Sequence, residues 1–403
     1  MIAFARANAR WLGAGFLLTL FSSFGQTFFI GQSNGELRAA FSLTHGQLAL
    51  LYGLATAASA ATLPFLGRTL DTQRGARVAG WVVPVLASAC LGMALVVHPI
   101  MLLVVFYLLR LFGQGMMTHI ALTETGRWFA ATRGRATSLV VPGFQAGEAV
   151  LPIAFTLIAS AFGWRWGWAA GGVLLLLVVW PVVTRLLAVE REPSGEAPSR
   201  TGTARHWTRT EVVRDPLFYA LLVGVLAPPF IGTTVFYHQD YLSELRGYPV
   251  TAFPAAFPLM AATTVSCALV CGALVDRYGA TRLLPFFLAP LALASLAVGL
   301  LAQGWGVFAF MVLFGISYGF TSTLLGALWP EVYGTRFLGS VRALVVSATV
   351  LSTALGPVVT GVLIDVGVPL PRQMLVLAAW VVGAILVLSL VSPRLVRRAA
   401  APL

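Results

Sequence analysis

Lysine is absent from this chain of 403 residues: all 26 of its basic side chains are arginine. A phosphate-binding P-loop needs its lysine, and so does Schiff-base chemistry. Neither an ATP site within the chain nor a covalent amine mechanism is therefore expected. Charge of either sign is also scarce. Charged residues make up 10% of the sequence, against about 25% in soluble domains, too few to build a water-facing surface. Cysteine is nearly missing as well. Cys90, Cys267 and Cys271 all lie in apolar runs. Cys267 and Cys271 share a helix face, but no set of ligands with metal-site spacing accompanies them, so they read as small core residues. No cofactor is expected.

Apolar residues fill the gap. They form 58% of the chain, its mean hydropathy is +0.87, and runs such as Val173–Trp180 and Val376–Leu390 are unbroken by charge. Lipid is the solvent such a chain suits. Inside a bilayer every backbone polar group must be satisfied internally, which leaves helices or a closed barrel. The runs approach twenty residues and lack period-2 alternation, so they are helices. The net charge of +12 does not point to nucleic acid, because the arginines are scattered through short loops between apolar runs, as topology requires.

Twelve spans are expected, at about 11–32, 46–66, 78–97, 100–121, 136–161, 166–188, 215–237, 252–273, 283–302, 305–327, 340–364 and 372–391. The first run, from Trp11, reads as a span rather than a cleaved signal. One long polar stretch, 189–214, divides the chain into an N-terminal six-helix bundle (1–188) and a C-terminal one (215–403). With these spans, 21 of the 26 arginines fall on one side and four, Arg38, Arg165, Arg246 and Arg372, on the other. Positive charge collects in the cytoplasm, so both termini and the 189–214 linker are expected there, in a bacterial inner membrane.

The halves repeat at one offset. Gly67 and Gly272, Asp71 and Asp276, Arg77 and Arg282, Gly134 and Gly339, and Pro152 and Pro357 are each 205 residues apart. A parallel repeat of this kind implies two bundles related by a pseudo-two-fold axis along the membrane normal, with substrate bound between them near the midplane.

Gly272-Ala-Leu-Val-Asp276-Arg277-Tyr-Gly279-Ala-Thr-Arg282 closely resembles the signature loop between spans 8 and 9 of the major facilitator transporters. Gly67-Arg-Thr-Leu-Asp71-Thr-Gln-Arg-Gly75-Ala-Arg77 resembles its partner between spans 2 and 3, except that its second glycine comes four residues after the aspartate instead of three. Arg127-Trp-Phe-Ala-Ala-Thr-Arg133-Gly134-Arg135-Ala136 looks like the loop between spans 4 and 5 in bacterial branches near the monocarboxylate and oxalate/formate carriers, and Arg214-Asp215-Pro216 at the start of span 7 fits the same branch. The resemblance implies a secondary transporter of a small organic solute working by alternating access. It assigns gating to these loops and to Arg336 in the matching loop of the second half. A carboxylate suits a helix N-terminus, so Asp71 is expected near Gly339–Arg342 and Asp276 near Gly134–Ser138.

Two charges interrupt apolar spans, and intramembrane charge is functional by default. Arg110 lies about 15 Å into span 4 and Glu148 about 18 Å into span 5 at about 1.5 Å per residue, near the middle of a core about 30 Å thick. Their repeat counterparts, Gly315 and Thr353, are uncharged. Arg110 suits a substrate anion. Glu148 suits a coupled proton, because a carboxyl removed from water favours its neutral form. A structural ion pair between the two is the third reading, and both side chains are expected to point inward near each other. By analogy Gln26, Thr27, Gln114, Tyr318 and Ser322 line the cavity, and Arg110-Leu-Phe-Gly113-Gln114-Gly115 partly resembles the family's span-4 motif. His238, at the end of span 7 with Tyr237, Gln239 and Asp240, is a candidate for substrate or proton coupling because an imidazole can titrate near neutral pH; the favoured reading is a solvated histidine at the outer mouth.

The resemblance and the central charges together imply an organic anion such as a monocarboxylate, possibly moved with a proton. Partners are then a small-molecule substrate, protons and membrane lipid, with no nucleic acid. Efflux of amphipathic compounds is the alternative transport reading. Another class is a membrane sensor without transport, or an intramembrane enzyme. His119-Ile-Ala-Leu-Thr-Glu124 has an acyltransferase-like spacing with glutamate for aspartate, but residues five apart on a helix do not share a face.

Overall fold

The computed structural model of the chain describes residues 2–129, 132–189, 191, 206–334 and 336–400. Most of the expected linker, 189–214, lies outside these residues. Every regular element among them is helical. Ten helices are long and apolar enough to cross a membrane. They are span 2 (His45–Thr72), 3 (Gly75–Ala94), 4 (Pro99–Trp128), 5 (Arg133–Phe162), 6 (Trp164–Leu187), 7 (Pro216–Tyr237), 8 (Ala252–Tyr278), 10 (Trp305–Tyr333), 11 (Leu338–Asp365) and 12 (Leu370–Arg398). Several outrun the expected boundaries. Span 4 has 30 residues, a length of about 45 Å, longer than a hydrocarbon core of about 30 Å requires.

Two expected spans differ in form. Span 1 is not one helix. It is the pair Ala9–Gly25 and Thr27–Phe41, bent by 46°. Residues Ser22–Gly25 tighten into a 3-10 turn and Gln26 is extended, at φ −85° and ψ 150°. Span 9 is expected over 283–302, but its regular helix covers Ala289–Leu300 only. Pro285 in the preceding turn and Pro290 in the first helical turn explain the late start, since proline is tolerated at a helix beginning and not in its interior.

The chain forms two compact units, one of Met1–Ser199 with Tyr237–Tyr241, the other of Arg200–Phe236 with Leu242–Leu403. Within the first, span 2 packs on span 4, span 3 on span 6, and span 5 on span 1. Within the second, span 8 packs on span 10 and span 9 on span 12, the same pairings one repeat later. Arginines close helix ends in both. Arg165 donates to the carbonyls of Ala94 and Val96 at 2.7 and 3.0 Å at the end of span 3, and Arg246 donates to those of Val298 and Leu301 at the end of span 9. Cations are favoured at helix C-termini, where carbonyls lack partners.

Small residues set the closest helix contacts, as in membrane proteins generally. A Cβ on Gly143 would lie 2.1 Å from Thr19 Oγ1, and one on Gly147 2.2 Å from Ser23 Oγ. Span 5 therefore seats its glycines directly on span 1 at its break.

Candidate functional site

Gly25 is the pivot of the break in span 1. A Cβ there would stand 2.2 Å from the carbonyl oxygen of Leu109 and 2.5 Å from the amide nitrogen of Gln114, so only glycine lets the two backbones cross. At that crossing span 4 widens into π-helical turns over Leu109–Met117, a form found mostly as single turns near functional sites. Arg110 lies in this widened stretch, 3% exposed. Its Nη1 donates to the Gly25 carbonyl at 3.1 Å and to Thr27 Oγ1 at 3.5 Å, and the guanidinium carbon sits 5.4 Å from the centre of the Tyr52 ring. Thr27 Oγ1 and the Tyr52 hydroxyl are 2.6 Å apart. The arginine is thus held by a backbone dipole, one hydroxyl and a ring face, with no carboxylate partner among the described residues. Its Nε is buried without a hydrogen-bond partner.

Glu148 is also buried, 8% exposed, and its Oε2 has no hydrogen-bond partner. It follows Gly147, whose neighbour Ser23 likewise has a buried hydroxyl without a partner. Among the described residues no ion pair joins Arg110 and Glu148. The reading of the two as a structural pair therefore fails in this conformation: each is inward and buried, but Arg110 spends its charge on the freed carbonyl of span 1. Leaving polar atoms buried and unpaired costs about 1–3 kcal/mol for each, and such atoms in a native fold call for an explanation.

The other candidates divide. Gln26 and Gln114 are half-buried at the crossing, beside Thr27. Tyr318 and Ser322 belong to the second unit and are exposed. Tyr318 stacks on Phe314 with ring centres 5.7 Å apart, and the Ser322 hydroxyl donates to Gly319 on its own helix. His238 is not solvated. It is 3% exposed, because residues 237–241 pack into the first unit, where the Tyr237 carbonyl accepts from Asn34 Nδ2 at 2.6 Å and Asp240 Oδ2 accepts from the Gly35 amide at 2.6 Å.

The loop motifs are held by side chains from spans 4 and 10. A Cβ on Gly67 would lie 2.9 Å from His119 Nε2, and one on Gly75 2.7 Å from the Glu124 carboxyl carbon. Arg127 pairs with Glu124 at 3.0 Å and donates to the Leu70 carbonyl at 2.7 Å. In the second unit Glu331 accepts from the Ala280 amide at 2.8 Å and from Thr281 Oγ1 at 2.7 Å, while Gly279 turns there at φ +81°, where a side chain is disfavoured. Gly272 is half-buried; Asp71, Arg77, Arg133, Arg135, Asp276, Arg277, Arg282 and Arg336 are exposed. Arg133 still reaches the Gly126 carbonyl at 3.2 Å, and the Arg336 amide donates to His206 Nδ1 at 3.4 Å. His119 and Glu124, five apart, serve two different glycines, so they form no catalytic pair.

Sequence reasoning missed Tyr52, Glu331 and the packing role of Glu124. Tyr52 is the one tyrosine in an otherwise alanine- and leucine-rich span. Glu331 is an acid five residues before Arg336, at the position where the first half carries Gly126.

Comparison with known proteins agrees with this architecture. Residues 15–357 match the Major Facilitator Superfamily. The chain belongs to that superfamily. Human "Monocarboxylate transporter 11" is 28% identical over 85% of this chain and 74% of its own length. A protein of Thermoproteus tenax described as an "Uncharacterized 38 kDa protein in 23S RNA operon" is also 28% identical, over 75% of this chain and 74% of its own. Among solved structures, a bacterial homolog of the human lysosomal transporter Spinster, inward-facing and unoccupied, has a TM-score of 0.75 at 17% identity, covering 98% of this chain and 99% of that one. The nucleoside transporter NupG has a TM-score of 0.69 at 13% identity, covering 95% and 99%. This facilitator is therefore an integral membrane transporter with the twelve-helix fold; its family and its structural neighbours are transporters, not enzymes.

Proposed function

We propose that this facilitator moves a small organic anion of the monocarboxylate class by alternating access, with a proton as coupling ion. The observation that carries the reading is Arg110: a buried guanidinium at a helix break, unpaired with any carboxylate and with a donor to spare. A fixed charge in a low-dielectric site attracts an anion far more strongly than it would in water, and a guanidinium matches a carboxylate through two parallel hydrogen bonds. Thr27 and Tyr52 supply hydroxyls beside it, and Gln26 and Gln114 flank the crossing. Glu148, with an oxygen that lacks a partner, is the proton carrier in this reading. The human relative's name, a monocarboxylate transporter, supports the substrate class. The loop motifs, with Glu124 and Glu331 bracing them, act as gates between the two access states, and both termini lie in the cytoplasm of a bacterial inner membrane.

The test is uptake of radiolabelled lactate and related short monocarboxylates by liposomes carrying the purified protein, with and without an inward proton gradient. Accumulation above the equilibrium level that collapses with the gradient is expected. Failure of the whole panel with folded protein, alongside gradient-driven transport of an amphipathic cation, would establish the efflux reading in its place.

A further inference from the structure

The first unit carries an apolar groove that the transport reading does not use. It lies between spans 5 and 6, has a volume of about 80 Å³, and is lined by no charged or polar side chain. Its floor is aromatic. Phe24 and Phe29 of span 1 meet edge to face at 4.9 Å, and Phe29 meets Phe155 of span 5 in the same way at 5.2 Å. Glycine brings span 6 down onto these rings: a Cβ on Gly167 would lie 2.6 Å from the Phe155 ring, and one on Gly171 2.5 Å from the Phe24 ring. At the rim stand Ala154 and Ala170, whose methyl groups are too short to close the space. Leu157 and Val173, next along the two helices, are exposed, so the groove opens on the surface that meets lipid.

Its depth matches one leaflet. Gly167 and Leu174 line the groove and come three and ten residues after Trp164, the first residue of span 6. At about 1.5 Å per residue they lie about 4.5 and 15 Å along the axis. Trp164 and Trp166 suit the membrane–water interface, and half of a hydrocarbon core is about 15 Å. The groove therefore runs from just below the headgroups to the midplane. Water does not fill an apolar cavity of this kind, and an open groove deprives its lining of dispersion contacts. A hydrocarbon chain lying along it restores them.

We propose that the groove binds one acyl chain of a membrane phospholipid and that the bound chain braces the break in span 1. Phe24 comes just before the pivot Gly25, and Phe29 comes shortly after Thr27. The chain thus lies against both sides of the break, while Gly25 and Thr27 between them face Arg110. With no charge in the lining, the site reads the chain and not the headgroup. Binding needs no transported solute, so the site stands or falls apart from the assignment of substrate.

The experiment uses purified protein stripped of lipid in detergent, to which phospholipids are added back. Native mass spectrometry counts retained lipid, and thermal unfolding reports its effect. A long-chain phospholipid should be retained at one per protein chain and raise the unfolding temperature by a few degrees, as a ligand of the folded state does. Anionic and zwitterionic headgroups should act alike, and a short-chain lipid at equal concentration should do neither. Hydrogen exchange at the amides of residues 22–29 should slow with the long-chain lipid bound. Ala170→Phe places a ring in the groove and should abolish all three effects; Ala154→Phe does so from the opposite rim if the first variant fails to fold. Val173→Phe, on the exposed surface outside the groove, should keep them. The proposal is overturned if the native chain retains no phospholipid, or if a folded groove-filled variant retains it unchanged. Retention that follows headgroup charge would move the lipid to the arginines, and a doubled mass in place of the adduct would make a second copy of the chain the cover; either overturns it too. Unchanged exchange at 22–29 with lipid bound would overturn the bracing.

Discussion

The two units share helix pairings but not chemistry. At the offset of 205 residues, Arg110 corresponds to Gly315, Tyr52 to Phe257, Thr27 to Gly232 and Gly25 to Phe230. Where the first unit buries a guanidinium and two hydroxyls, the second packs rings: Phe236 lies 5.3 Å from Phe314 and 5.5 Å from Phe257, and Phe310 stacks on Phe314 at 5.5 Å. Gly232 exists to admit the Phe314 ring, 2.4 Å from where its Cβ would be. Aromatic pairs of this kind add about 0.5–1.5 kcal/mol each beyond area burial. The unsatisfied groups are just as lopsided. Nine of the eleven buried polar side-chain atoms without partners, among the described residues, belong to the first unit. Fold energy is thus saved in the second unit and spent in the first, which is where ligand chemistry is to be sought.

The harshest way to break the contrast is to fill the crossing that creates it. Gly25→Ala sets a methyl group against backbone atoms of span 4, which cannot rotate away as a side chain does. Overpacking costs about 1–3 kcal/mol even where side chains can give, so this variant should lose most of its folded yield in detergent size-exclusion chromatography. Gly326→Ala in the second unit, with nothing within 4 Å of the new Cβ, should behave as the native chain. Equal yields would mean that the backbone crossing is not what holds the break.

Next in size is the charge itself. Arg110→Ala should lower monocarboxylate uptake roughly a hundredfold or more, since charge-assisted hydrogen bonds are worth about 1.5–3 kcal/mol each. It should still fold, with an unfolding temperature lowered modestly, because the Gly25 carbonyl loses its donor and an unsatisfied buried group costs about 1–3 kcal/mol. Arg110→Lys keeps the charge without the planar fork and should recover only a minor part. Uptake within a factor of a few of native in Arg110→Ala would remove the substrate role.

Much of this contrast was legible in the chain. The twelve spans follow from hydropathy and arginine placement, and the one-sided polarity follows from Arg110 and Glu148 having Gly315 and Thr353 as counterparts. The break in span 1 was not legible. Ser22, Ser23, Gly25 and Gln26 are each tolerated within a membrane helix, and what unwinds them is the crossing with Gly113 of span 4, a contact between residues 88 apart. His238 was misread for a similar reason: a histidine at the end of an apolar run looks solvated until residues 237–241 are seen packed into the first unit. The long-range partner decides in both cases, and periodicity carries no information about it.

Glu148 offers a finer cut. With no ion pair to Arg110 in this conformation, the Arg110→Ala/Glu148→Ala double variant should stay inactive; full recovery would restore the structural-pair reading and withdraw both transport roles. Glu148→Gln should retain exchange of labelled for unlabelled substrate at near-native rate while losing accumulation against a gradient. A Glu148→Gln protein that still accumulates substrate with a proton gradient would move the coupling site elsewhere.

The mildest probe swaps one oxygen between the units. Tyr52→Phe gives the first unit the residue that the second already has at Phe257. It removes the 2.6 Å contact to Thr27 but keeps the ring face over which Arg110 sits. Thr27 still accepts from Arg110 at 3.5 Å. The expected loss is that of one net hydrogen bond, about 1 kcal/mol or roughly fivefold in apparent affinity, with little change in maximal rate. The reverse exchange is not symmetric. Phe257→Tyr places a hydroxyl in a site that is 0% exposed and packed against the Phe236 ring, where an unpaired polar group costs about 1–3 kcal/mol of stability. It should therefore lower the unfolding temperature and leave affinity alone. Thermal unfolding and concentration-dependent uptake, measured on both variants, read the two halves separately. If both exchanges change affinity, the rings of the second unit belong to the binding site after all.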